Sequence, residues 1–140
     1  TFATKLSSEH NRLFPQFTRI IIDHTNILIR TKYKSAKPYF YTTDCASAIF
    51  RILLKGEKGE AYNVANTDTY ISIADMAHFL CDNFNPSVQV VVSEQIGGGN
   101  YAPTTKLRLS SDKLMALGWK PYYGLREMFN NLIESIKEDR

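Results

Sequence analysis

Four cations, Arg30, Lys32, Lys34 and Lys37, stand within eight residues and have no acidic residue among them. Such a run suits two roles. It can be a solvated loop, or it can clamp a diphosphate, whose oxygens accept charge-assisted hydrogen bonds from cations. The same stretch, Tyr33-Lys34-Ser35-Ala36-Lys37, spells YxxxK. In a helix that spacing puts both side chains on one face, where a lysine can tune a tyrosine for acid/base work. Here Pro38 disfavours helical backbone at Lys37, and the segment joins two expected strands, so the match is coincidental.

Other chemistries find less to work with. His10, His24 and His78 lie far apart without metal-ligand spacing, and no GxSxG marks a nucleophile. The glycine cluster Gly97, Gly98 and Gly99 precedes Tyr-Ala-Pro rather than a helix opening, so it cannot hold a pyrophosphate on a helix N-terminus. Tyr101, in that flexible loop, suits stacking on a base or sugar as well as simple exposure.

The elements that would position these residues follow from periodicity. Leu13, Phe14, Phe17, Ile20 and Ile21 recur with helical spacing, Pro15 fits a first turn, and the spacing predicts a helix ending near His24. Short strands are expected at residues 27–30, 39–42, 61–65 and 87–93, the last with Val88, Val90 and Val92 on one face. Asp44 is placed to cap a helix whose wide apolar run calls for burial on more than one side, with Gly56 ending it in the left-handed conformation. Ser72 caps a third helix carrying Ile73, Met76, Ala77, Leu80, Cys81 and Phe84. Ser110 or Ser111 opens a short helix that Gly118 closes. A final helix aligns Leu125, Met128, Phe129, Leu132, Ile133 and Ile136.

The pattern is an α/β layer of five helices and about four short strands. Strands this short do not readily make a sheet covered on both faces. Some are therefore expected to extend a sheet supplied by another part, leaving an edge or apolar patch that favours self-association.

Bulk properties agree with one soluble domain over residues 1–140: 44% of residues are hydrophobic and 22% charged. No stretch reaches the roughly 18 to 20 apolar residues of a membrane span, and no signal leader opens the chain, so a cytoplasmic location is expected. A net charge of +3 gives nucleic-acid binding no support. Cys45 and Cys81 read as buried thiols rather than a disulfide. The chain opens at Thr1 with residues that look like the inside of a fold, which suggests a piece of something longer.

Three segments, in order, carry a family resemblance: YFYTTDCASAIF at residues 39–50, AYNVAN at 61–66 and LSSDKLMALGWKP at 109–121. Together they resemble the C-terminal, substrate-binding half of an extended short-chain dehydrogenase/reductase. These are the NAD-dependent epimerases and dehydratases of nucleotide sugars, and the likeness is greatest to the dTDP-glucose 4,6-dehydratase and UDP-glucuronate decarboxylase branch.

The resemblance implies the C-terminal lobe of a Rossmann-type epimerase/dehydratase that lacks the N-terminal dinucleotide-binding half. The lobe would bind a nucleotide-diphosphate sugar and hold no catalytic residue, metal or cofactor of its own. NAD would be used by the complete enzyme, a lyase or isomerase. Lys37 occupies the position of a diphosphate-contacting arginine, where lysine keeps the charge but loses the bidentate fork. Arg12, Lys106 and Arg108 match further diphosphate contacts, Asp44 an architectural aspartate and Asn63 an asparagine that organises neighbouring loops. Two rivals stand beside this reading: a stand-alone or degenerate nucleotide-sugar binding module without redox activity, and a basic protein that holds polyanions.

Overall fold

The computed structural model describes residues 13–29, 35–93 and 105–139. In chain order the elements are α1 (Leu13–Ile22), β1 (Ile27–Ile29), β2 (Ala36–Lys37), α2 (Thr42–Lys55), a 3-10 turn (Thr67–Thr69), β3 (Ile71–Ser72), α3 (Ile73–Phe84), β4 (Val90–Val92), α4 (Asp112–Met115) and α5 (Leu125–Glu138). This is the mixed α/β pattern expected.

The largest core forms where the apolar faces of α1, α3 and α5 meet over β1. Phe17, Ile21, Ile27, Met76, Leu80, Met128, Phe129 and Leu132 are buried there. α1, α3 and α5 supply all of these but Ile27 at helical spacing, and the Ser72 hydroxyl caps α3 by accepting from Asp75 N–H at 3.0 Å. Cys81 lies in this core as a free thiol, its pKa pushed up by burial, and Cys45 is also free. α1 stops at Ile22, short of the expected end. His24 takes a left-handed conformation (φ 55°) and its Nδ1 lies 3.0 Å from Asn85 Nδ2, which also donates to Ile21 O at 2.9 Å. A smaller cluster of Ala48, Leu114 and Trp119 joins α2 to α4.

β1 and β4 pair in parallel, Ile27 with Val90 and Ile29 with Val92. β2 pairs antiparallel with β3, and Ala36 also bridges to Lys106 in parallel. Four expectations need correction. The strand expected at 39–42 lies instead at Ala36–Lys37. Pro38 has no N–H to offer a ladder, and the Thr69 hydroxyl accepts from Tyr39 N–H at 2.9 Å and contacts Tyr39 O. Residues 61–65 form no strand. Their groups are engaged by remote side chains, with Ser111 Oγ donating to Ala65 O and Lys113 Nζ to Ala61 O. Gly56 is extended (φ −71°), not left-handed; glycine is needed there because a Cβ would stand 2.5 Å from Ile52 O. The left-handed conformation occurs instead at Gly118, expected only to close the short helix, with φ 85°.

The fourth correction concerns burial. α2 covers only one of its sides: Ile49, Phe50, Leu53 and Leu54 are 51%, 65%, 74% and 81% exposed. Val88 is buried, but Val91 and Val92 are open to solvent, as is Leu28 across the strand pair. Parallel sheets are ordinarily covered on both faces, so β1 and β4 leave an apolar surface of the expected kind.

Candidate functional site

Three segments distant in sequence converge around β2. On one side β3 follows the 3-10 turn. On the other, Ala36 N–H donates to Thr105 O and Leu107 N–H to Ala36 O, both at 3.0 Å. Between them lies a cavity of about 440 Å³ lined by Pro38, Thr67, Tyr70, Arg108, Leu109 and Ser110. That is within the size range of ordinary small-molecule sites, about 300–1,000 Å³.

The walls are held from beneath. Asn66 accepts from Asp68 N–H at 3.1 Å and donates to Tyr123 O at 3.0 Å, which fixes the start of the 3-10 turn. Thr69 is buried against Tyr39, so the turn cannot slide along β2. Asn63 Nδ2 donates to Ser110 O at 3.2 Å, tying the 61–66 segment to the far wall.

Lys37, Lys106 and Arg108 stand exposed on the segments that frame this cavity. The Lys37 ammonium lies 5.6 Å from the centre of the Tyr39 ring, and the Arg108 guanidinium 4.6 Å from the centre of the Tyr70 ring. Among the described residues, none of the three is ion-paired with a carboxylate. Their charge is therefore available to an anion. Pro38 and Leu109 add apolar surface, the Tyr70 ring lies against Arg108, and Thr67 and Ser110 add hydroxyls. Such a lining suits a ligand that is part flat and apolar, part anionic.

Arg12 and Tyr101 lie outside the described residues, as do Arg30, Lys32, Tyr33 and Lys34. Asp44 is not the cap of α2. Tyr41 takes the cap position, and the Asp44 carboxylate accepts from Tyr122 N–H (3.0 Å) and Tyr123 N–H (3.2 Å). Sequence reasoning missed Pro38, Thr67 and Tyr70 as pocket residues, and read Ser110 only as a helix opener. The one usable signal was an aromatic directly after a polar turn, Thr67-Asp68-Thr69-Tyr70.

Among the described residues no group of three histidine, cysteine or acidic side chains is placed to hold a metal ion, and no helix is long and apolar enough to cross a membrane. Nor do the described glycines fit a dinucleotide. Gly56 ends α2, Gly59 and Gly118 sit in left-handed turns, and Gly124, at the start of α5, faces the Glu127 carboxylate, which would repel a phosphate.

The arrangement has the fold of a part of the Rossmann-type sugar-nucleotide epimerases and dehydratases. It overlays an epimerase of Methanothermobacter thermautotrophicus with a TM-score of 0.74 at 18% identity, covering 94% of this chain and 38% of that one. It overlays a UDP-glucose 4-epimerase of Thermotoga maritima, solved with UDP-glucose, with a TM-score of 0.69 at 18% identity, covering 91% and 40%. No protein-family model matches the chain. Among curated proteins, a dTDP-D-glucose 4,6-dehydratase of Homo sapiens is 25% identical over 131 residues, 91% of this chain and 37% of that protein. In sequence and in fold the chain is thus similar to part of the dTDP-glucose 4,6-dehydratases and related NAD-dependent epimerases. It spans well under half the length of the relatives it matches.

Proposed function

We propose that this chain is a substrate-binding lobe, and that the cavity beside β2 receives the nucleotide and diphosphate of a sugar nucleotide. The observation that carries the reading is Arg108 in the wall of a partly apolar cavity, with Lys37 and Lys106 exposed on the two segments that pair beside it, none of the three ion-paired with a carboxylate among the described residues. In a complete enzyme, NAD would bind in a Rossmann half and supply the redox step. The described residues here would bind and orient the nucleotide while leaving the chemistry to that half. The binding module without redox activity is the second reading; the misfit of the described glycines to a dinucleotide is expected of both, and nucleotide binding with no NAD requirement in the longer protein would favour the second.

The test is calorimetric titration of the chain with UDP and dTDP across a salt series. Lys37→Ala with Lys106→Ala is expected to weaken binding about tenfold and flatten its salt dependence, since each removes a phosphate-facing charge. Both residues are exposed, so stability should stay within about 0.5 kcal/mol. Unchanged affinity would sink the diphosphate assignment. Equal binding of many unrelated polyanions would favour the polyanion-holding rival instead.

The exposed apolar face of α2 and the open surface of β1 and β4 belong to the same proposal, as the ground on which the rest of a longer enzyme, or another copy of this chain, would pack. Isolated, the chain is expected to associate as its concentration rises. Phe50→Lys with Leu54→Glu, 65% and 81% exposed in the parent, should return it to a monomer without loss of helicity. Sedimentation velocity checks this. A parent chain that is monomeric at every concentration would remove the self-association claim.

A further inference from the structure

The stacking of Arg108 on Tyr70 is not required by anything else in the cavity. Arg108 is exposed, and an unrestrained arginine on a surface loop spreads over many rotamers, so an anion that captured it would first have to order it. Its Cζ instead lies 4.6 Å from the centre of the Tyr70 ring. A guanidinium carries all its N–H groups in its own plane. Holding the cation over a ring by cation–π attraction therefore restrains the group without taking up those donors. A carboxylate partner would restrain it too, but would consume the donors.

Tyr70 is itself well anchored. It is half-buried, closes the 3-10 turn by donating its N–H to Thr67 O at 3.2 Å, and leads directly into β3, which pairs with β2. The ring is thus tied to the same backbone frame that carries Lys37. Lys37 lies over Tyr39 in a looser way, 5.6 Å from the ring centre, and a lysine has no planar fork to orient.

We infer that Tyr70 is a positioning residue that holds Arg108 as a preformed two-pronged donor for the ligand's phosphates. The inference rests on the reading of this cavity as a nucleotide-diphosphate site. It assigns Tyr70 no contact with the ligand itself. Its effect on affinity passes entirely through Arg108.

The test is titration of the chain with UDP and, separately, with inorganic pyrophosphate. Arg108→Ala should weaken both about tenfold. Tyr70→Leu should weaken both about threefold to fivefold, and Tyr70→Phe, which keeps the ring, should stay within about twofold of the parent. The double variant Tyr70→Leu with Arg108→Ala should bind no worse than Arg108→Ala alone, because residues acting as a unit are not additive.

An affinity for Tyr70→Leu equal to the parent's would overturn the inference. So would a double variant that loses the product of the two single effects. Loss with UDP but not with pyrophosphate would also overturn it, by making Tyr70 a direct base contact. If Arg108→Ala binds like the parent, the reading of the cavity fails as well. Should Tyr70→Leu fold poorly by circular dichroism, Arg108→Lys decides. It keeps the charge at an exposed position but loses the planar group over the ring, so it is expected to bind more weakly than the parent and more tightly than Arg108→Ala. Parental affinity for Arg108→Lys would overturn the role of stacking.

Discussion

Asp44→Ala is expected to lower the stability of the chain by about 3 kcal/mol, read as a fall in the urea midpoint at unchanged slope. The carboxylate is 1% exposed, and its two oxygens accept from the backbone N–H groups of Tyr122 and Tyr123. Hydrogen bonds to a charged group contribute about 1.5–3 kcal/mol each, and their loss strands donors in the part-buried approach to α5. The neighbourhood is shared. Ser47 Oγ donates to Asp44 O at 2.8 Å and accepts from the Trp119 indole N–H at 2.9 Å, while the Tyr41 and Tyr123 rings lie 4.5 Å apart. Asp44→Asn keeps one acceptor oxygen and should cost about half as much. A helix cap alone is worth about 1 kcal/mol. A loss that small for Asp44→Ala would mean that the carboxylate's tertiary hydrogen bonds add nothing.

Phe129→Ala is expected to cost about 3–5 kcal/mol, a large fraction of the 5–15 kcal/mol that holds an ordinary domain together. The ring is fully buried, with Phe14, Phe84 and Phe79 at centroid distances of 6.2, 6.3 and 6.5 Å. Truncation would empty a space that the helices α1, α3 and α5 cannot close without moving one another. Phe129→Leu refills most of it and should cost less than half as much. Phe50→Ala is the matched control, since that ring is 65% exposed and its loss should change stability by less than about 0.5 kcal/mol. Thermal unfolding of the three variants settles the comparison. Similar losses at both phenylalanines would mean that α2's outer face is covered in solution.

The contrast between these two phenylalanines marks how far local pattern reaches. α3 and α5 were legible because each carries its 3.6-residue apolar period within one helix, and α3 has a serine cap directly before it. Gly118 was legible for the same reason as the close of a short helical segment, though its left-handed conformation was expected at Gly56 instead. The strands were harder. Their partners lie up to some 70 residues away, and pairing between Ala36 and both Ser72 and Lys106 leaves no periodic trace in any one segment.

By itself, the sequence determined the α/β class, the five helices, the family likeness and the cations Lys37, Lys106 and Arg108 as candidates. Those are local features: residue type, spacing and ordered motifs. Only the tertiary structure decided that Arg108 lines a cavity beside the paired segments that carry Lys37 and Lys106, that Tyr70 lies under Arg108, and that Asp44 serves the approach to α5 instead of its own helix. It also decided that Phe129 is covered and Phe50 is not. Burial and convergence depend on contacts between segments whose approach no single segment encodes, so they appear only once the chain has folded.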